Sequence, residues 1–228
     1  MTKNFIISPS IMCSTPSEME RYAHAFEACG IDAIHFDVMD GHYVPNIMLG
    51  VRDYAALKKA TKLPIDLHLM CTDPEGFVQI LQPAAGDWVS FHPEEARNPH
   101  RLLTELKERG CRAGIALSPG VPVSYIDEMG AYLDFVLVMA VNPGFAGQSL
   151  VESAMDKIRE VRSLLDEKGR EDCSVEVDGN VSFVNATRMR KLGADIFVCG
   201  TSSVFNKDFT IAEGVNELRN RIAAGENI

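Results

Sequence analysis

The chain is 228 residues long, 46% hydrophobic and 24% charged, with a formal net charge of −10. These totals exclude a disordered or low-complexity chain and fit one sizeable core, so a single domain over residues 1–228 is expected. An acidic balance without a basic run also excludes nucleic acid as the expected partner, because recognition of a phosphate backbone needs clustered Lys and Arg.

Met1-Thr2-Lys3-Asn4 leads straight into the first apolar run, without the h-region or small-residue cleavage pattern of a signal peptide. No stretch approaches the roughly 18 apolar residues of a membrane span. A cytoplasmic protein that does not associate with membranes is expected. The first run, Phe5 to Met12, is followed by a helix start in Thr15-Pro16-Ser17-Glu18 and a helix stop in Ala28-Cys29-Gly30. The alternation of a short apolar run with a longer 3.6-periodic stretch then repeats at intervals of about 28 residues. The later runs are Ala33 to Met39, Pro64 to Met70, Trp88 to His92, Arg112 to Leu117, Phe135 to Ala140, Val175 to Asp178 and Ile196 to Gly200. Helix starts recur at Thr72-Asp73-Pro74-Glu75 and Val181-Ser182, and glycine stops at Gly110, Gly169 and Gly193. Eight such units predict an α/β fold of the TIM (β/α)8 barrel type, with a doubly wound open sheet as the alternative. The cysteines (Cys13, Cys29, Cys71, Cys111, Cys173 and Cys199) have no C-x-x-C spacing and read as reduced, small hydrophobes.

In such a barrel, side chains alternate between the interior and the helix layer, and the active site lies at the carboxyl ends of the strands. In Ile34-His35-Phe36-Asp37-Val38-Met39, alternation sends His35, Asp37 and Met39 inward together. Ile65-Asp66-Leu67-His68-Leu69-Met70 does the same for His68 and Met70, with Asp66 deeper on the same face. Val175-Glu176-Val177-Asp178-Gly179 ends in another inward aspartate. One such histidine reads as an ordinary core residue, but an unpaired buried carboxylate costs several kcal/mol unless a cation or donors compensate it. One divalent metal ion satisfies His35, Asp37, His68 and Asp178 together, and imidazole with carboxylate suits Zn, Fe, Mn or Co.

An anion site is expected from other strand ends. Asn142-Pro143-Gly144-Phe145-Ala146-Gly147-Gln148, Asp178-Gly179-Asn180 and Gly200-Thr201-Ser202-Ser203 are loops whose glycines permit close backbone approach. A short helix beginning near Ser202 would aim its N–H groups at a phosphate.

Ile7-Ser8-Pro9-Ser10, the stretch from His35 to Asn46 (His-Phe-Asp-Val-Met-Asp-Gly-His-Tyr-Val-Pro-Asn), Asp66-Leu67-His68-Leu69-Met70, Val141-Asn142-Pro143-Gly144-Phe145 and Glu176-Val177-Asp178-Gly179 together resemble the ribulose-phosphate 3-epimerase family. The resemblance runs from about Ile6 to Phe205 and implies a TIM barrel with metal ligands His35, Asp37, His68 and Asp178. It further implies Asp37 and Asp178 as acid and base, and substrate contacts from Ser10 and His68. The glycine loops (Gly144, Phe145, Ala146 and Gly147; Gly179 and Asn180; Gly200, Thr201 and Ser202) would hold the phosphate. Met39, Met70 and Met139 would cap the reacting carbons, although gap-filling core is an equal reading of methionine.

The expected partner is a small-molecule ketose phosphate, inverted at carbon 3 through an enediolate; a homo-oligomer is also expected. Met12-Cys13, Phe91-His92-Pro93-Glu94, Asn180 in place of glycine, and Gly200-Thr201-Ser202 resemble the branch of the family acting on D-allulose 6-phosphate, with D-ribulose 5-phosphate as the alternative. Ser118-Pro119 departs from the usual Asn-Pro and has no reading from sequence. A related barrel lyase is disfavoured, since no lysine ends a strand. A non-catalytic sugar-phosphate-binding protein would not need two aspartates. His42 reads as an entrance residue or a solvated loop histidine, and His92 as functional or structural.

Overall fold

The computed structural model describes residues 5–225, so Met1 to Asn4, from which the lack of a leader was read, lie outside the described residues. The strands are β1 (Ile6–Pro9), β2 (Ile34–Asp40), β3 (Ile47–Met48), β4 (Ile65–Met70), β5 (Trp88–Phe91), β6 (Arg112–Leu117), β7 (Phe135–Met139), β8 (Ser174–Asp178) and β9 (Ile196–Cys199). The α-helices are α1 (Met19–Ala28), α2 (Val51–Ala60), α3 (Pro74–Leu81), α4 (Pro99–Glu108), α5 (Tyr125–Met129), α6 (Ser153–Glu167), α7 (Phe183–Lys191) and α8 (Ile211–Ala224).

The strand order is β1-β9-β8-β7-β6-β5-β4-β2-β3. Because the first and last long strands pair in parallel, the sheet curls back on itself instead of remaining open. The remaining seam is closed by a parallel bridge between Ser10 and His35. The fold is therefore a TIM barrel of eight parallel strands. The pattern did not foreshadow β3, a two-residue strand antiparallel to β2 that pairs Met39 with Met48 and Asp40 with Ile47.

Alternation divides the core into two shells. Phe36, Leu67, Leu69, Val89, Phe91, Val136 and Val138 are buried among the helices. Each helix answers with one apolar stripe, as in Ala154, Met155, Ile158, Val161 and Leu165 of α6. Inside the barrel, strand-start residues Trp88, Phe135 and Ile196 pack with Ala33 and plug the end away from the site. Gly114 makes room for that plug, since a Cβ there would lie 2.8 Å from the Phe135 ring. Asp73, Asn98, Ser182 and Thr210 cap their helices by accepting from the backbone N–H of the residue three positions on.

One expected element is absent. Residues 201–205 form successive turns and not a short helix, with the N–H groups of Ser203 and Phe205 both donating to Gly200 O at 3.1 and 3.0 Å. The polypeptide turns again at Asn206, whose O accepts from Phe209 N, so no run long enough for a helix remains before α8. Among the described residues no helix is long and apolar enough to cross a membrane.

Candidate metal centre and substrate cavity

Register places the polar cluster. In the β2–β4 ladder His35 lies opposite Asp66 and Asp37 opposite His68, while β7–β8 sets Met139 opposite Asp178. One ligand atom from each of His35, Asp37, His68 and Asp178 falls within 4.8 Å of all the others. Asp37 Oδ1 is 3.4 Å from His35 Nε2 and 3.5 Å from His68 Nδ1, and Asp178 Oδ2 is 3.9 Å from the same His68 nitrogen.

The two ring nitrogens turned toward these carboxylates, His35 Nε2 and His68 Nδ1, are buried and have no hydrogen-bond partner. Orphaned buried nitrogens are costly, and both face one point between two carboxylates. The opposite nitrogens are engaged: His35 Nδ1 with Asp66 Oδ2 at 2.7 Å and His68 Nε2 with His92 Nε2 at 3.0 Å. Metal-binding histidines have this arrangement, one nitrogen free for the ion and the other fixed from behind. The donor set fits a divalent transition metal.

Charge is distributed unevenly over the cluster. Burial opposes ionisation of Asp37, yet the His35 and His68 rings beside it, with Ser10 Oγ donating to its Oδ2 at 2.6 Å, favour the carboxylate and hold it well below the usual range. Asp178 is pushed up to about 6, by burial first and by Asp37 second. At His35, burial disfavours the cation, but Asp66 and Asp37 raise the imidazole well above its ordinary value. His92 goes the other way, depressed by burial and by His68, and is neutral.

Above the cluster lies a cavity built from the strand ends. Ser10, Met12 and Cys13 line it after β1, Asp37 and Met39 from β2, Met70 from β4 and Met139 from β7. Its rim consists of the 141–148 segment, Asp178 to Val181, and Gly200 to Ser202. The predicted loop residues Gly144, Phe145, Ala146, Gly147, Gly179, Asn180, Gly200, Thr201 and Ser202 thus share one wall, while His35 and His68 lie buried below it. Gly179 adopts φ +104, and a Cβ there would lie 2.6 Å from Val141 Cγ2, so only glycine fits this close approach. Asn180 adopts φ +48 and braces the wall: its Nδ2 donates to Gln148 O at 2.7 Å, and its Oδ1 accepts from Asn185 Nδ2 at 2.9 Å. Cys13 is no nucleophile, since burial and Asp37 push its thiol up to about 12.

Several participants escaped the sequence reading. Glu176, two residues before Asp178 on the same face, is fully buried 3.8 Å from His35 Nδ1; strand alternation alone could have found it. Ser8 Oγ donates to Asp66 Oδ2 at 3.0 Å, which completes the support behind His35. Tyr43, in the loop after β2, reaches His92 across the barrel mouth, a contact with no local signal. His42 is exposed on that loop, its N–H donating to Asp40 Oδ1, and lies off the main cavity.

Fold and site together define a TIM barrel with an imidazole–carboxylate cluster at the floor of a glycine-rimmed cavity. Residues 6–205 match the model of the ribulose-phosphate 3 epimerase family. A ribulose-phosphate 3-epimerase of Serratia marcescens is 39% identical over 208 residues, covering 91% of this chain and 99% of that one. One from Bacillus subtilis is 39% identical over 213 residues, covering 93% and 97%. The chain belongs to the ribulose-phosphate 3-epimerase family and is an epimerase. Among solved structures it is similar to thiamine phosphate pyrophosphorylase of Pyrococcus furiosus (TM-score 0.62, 14% identity, 98% of this chain and 97% of that one). A mutant tryptophan synthase α-subunit from the same organism has a TM-score of 0.61 at 14% identity, with both chains covered completely. At that identity these neighbours speak to the fold alone.

Proposed function

We propose that the chain inverts carbon 3 of a ketose phosphate by a two-base mechanism, with D-allulose 6-phosphate preferred over D-ribulose 5-phosphate. The observation that carries the mechanism is the unequal pair Asp37 and Asp178, placed in one cluster but with opposite displacements of their acidity. Inversion next to a carbonyl requires one group to take a proton and another to return one from the opposite face. An ionised Asp37 and a readily protonated Asp178 are suited to start from complementary states, and they exchange states with each turnover.

A divalent metal held by His35, Asp37, His68 and Asp178 would polarise the carbonyl at carbon 2 and stabilise the negative charge that develops when carbon 3 loses its proton. The chain's own groups do the rest. Ser10 fixes Asp37 through the hydrogen bond to Oδ2. Met39, Met70 and Met139, each almost fully buried on the cavity wall, exclude water from the reacting carbons. Backbone N–H groups around Gly147, Gly179 and Gly200 to Ser202 would receive the phosphate.

The sugar's length is read from the residues that depart from the pentulose pattern. Met12, Cys13, Asn180, Thr201 and Ser202 all line the cavity, where a longer chain would meet them. The relatives named for ribulose phosphate favour the pentulose. Turnover of both substrates in competition decides: a higher kcat/KM for ribulose 5-phosphate would sink the hexulose reading. Solvent deuterium must enter carbon 3 during epimerisation; its absence throughout would exclude the two bases. The same reading places the enzyme in the cytoplasm as a homo-oligomer, which fractionation and sedimentation of the full chain test.

A further inference from the structure

Behind His68, a line of hydrogen bonds runs through His92 and Tyr43 to Glu94, and its direction is fixed by its far end. Tyr43 Oη donates to Glu94 Oε1 at 3.0 Å, since a carboxylate can only accept. With its single proton used there, the phenol can only accept from His92 Nδ1 at 2.9 Å and from Ser118 Oγ at 2.9 Å. His92 therefore carries its proton on Nδ1, and as a neutral imidazole it offers a bare lone pair at Nε2. That lone pair meets His68 Nε2 at 3.0 Å, so His68 must be the donor in this contact. The His68 tautomer that donates from Nε2 has a bare Nδ1, and Nδ1 is the orphaned atom 3.5 Å from Asp37 Oδ1. If the line ran the other way, the His68 proton would sit on Nδ1, where a ligand needs a lone pair.

We propose that Glu94, Tyr43 and His92 are positioning residues that lock His68 in its metal-binding tautomer. The inference rests on the reading of the cluster as a metal centre. None of the three lines the substrate cavity; the Tyr43 ring also packs against the Met39, Val44 and Met70 cluster, a contact that Tyr43→Phe retains, so the loss of Oη alone reaches the site through His92 and His68. Two features hold the line in place. The Tyr43 and His92 rings pack with centroids 4.4 Å apart, which fixes the phenol over the imidazole. Lys157 Nζ donates to the carbonyls of Ser118, Pro119 and Val121 at 2.6, 2.8 and 2.6 Å and anchors the loop that carries Ser118. Fixing the tautomer and ring of a ligand from outside the first layer typically changes metal affinity by about 10- to 100-fold.

The test is Co(II) affinity of the full-length protein, measured by competition with a chromophoric chelator, with folding checked by circular dichroism. Tyr43→Phe retains the stacked ring and removes only Oη, so it keeps the measurement open if a His92 variant fails to fold. A loss of about 10-fold in Co(II) affinity is expected for Tyr43→Phe, and a smaller loss for Glu94→Gln, whose amide can donate and so no longer enforces the direction. Ser118 Oγ lies 3.3 Å from His92 Nδ1 and is a second, longer acceptor for the same N–H, so Ser118→Ala should lose less Co(II) affinity than Tyr43→Phe, about twofold. Wild-type affinity in both Tyr43→Phe and Glu94→Gln overturns the inference, as does a Ser118→Ala loss equal to that of Tyr43→Phe. Failure of the underlying reading looks different: the wild-type protein and His68→Ala would then take up Co(II) equally poorly.

Discussion

The two sides of the barrel mouth are built on different principles. On the metal side, His35, Asp37 and His68 project from β2 and β4, are nearly or fully buried, and are held from behind by Asp66, Ser10 and His92. On the rim side, Gly144, Gly147, Gly179 and Gly200 present backbone, and Phe145 stands 51% exposed. Asp178 sits where the two meet, its carboxylate in the cluster and its successors in the rim. Proton chemistry needs atoms fixed to fractions of an ångström, which strands and buried hydrogen bonds supply, whereas anion capture needs N–H groups that only an irregular backbone turns toward a ligand.

The largest effect should therefore come from the junction. Asp178→Asn keeps the shape but removes the carboxylate that the proposed mechanism uses as base and as ligand. A fall in kcat of about 1,000-fold or more is expected, at the upper part of the range for one acid–base group, with thermal stability near wild type. A variant that is folded and retains wild-type turnover would break the two-base model and, with it, the assignment of chemistry to the buried side.

A second test compares the sides through pH. Asp66 and Asp37 raise His35 well above its ordinary value, so a proton held there at neutral pH would compete with the proposed metal. Metal affinity should consequently rise with pH, by about tenfold per unit for one displaced proton. Below about 6, where Asp178 also takes up a proton, the dependence should steepen. Calorimetric titration in buffers of different ionisation enthalpy counts the protons released, and a pH-independent affinity would contradict the charge distribution described for the cluster.

The same contrast governs what could be read before the structure. Strand alternation has period two, so His35, Asp37, His68 and Asp178 can be assigned to the interior from spacing alone, and Glu176 obeys the same rule. Closure of the barrel was a matter of inference, because the β1–β9 pairing joins residues at opposite ends of the chain and leaves no local mark. The rim is legible in composition and not in shape: glycines announce an irregular backbone, but Gly200-Thr201-Ser202-Ser203 suits a helix start as well as the turns that form at 201–205. Tyr43 and His92 are 49 residues apart, and nothing in either segment announces their contact.

The smallest effect should fall on the rim itself, at Asn180. A non-glycine residue at φ +48 is held in the left-handed region, where asparagine is tolerated better than most side chains. Asn180→Gly relieves the backbone but deletes both the brace to Gln148 O and the acceptor for Asn185 Nδ2. One such hydrogen bond contributes about 1 kcal/mol, or roughly fivefold in an equilibrium. If the brace holds the 141–148 wall in its phosphate-receiving shape, KM should rise about fivefold while kcat changes less than twofold, because the buried cluster is untouched. A matching fall in kcat would show that the rim and the metal side are coupled. The division of labour would then fail at Asp178, where the two sides share a strand end.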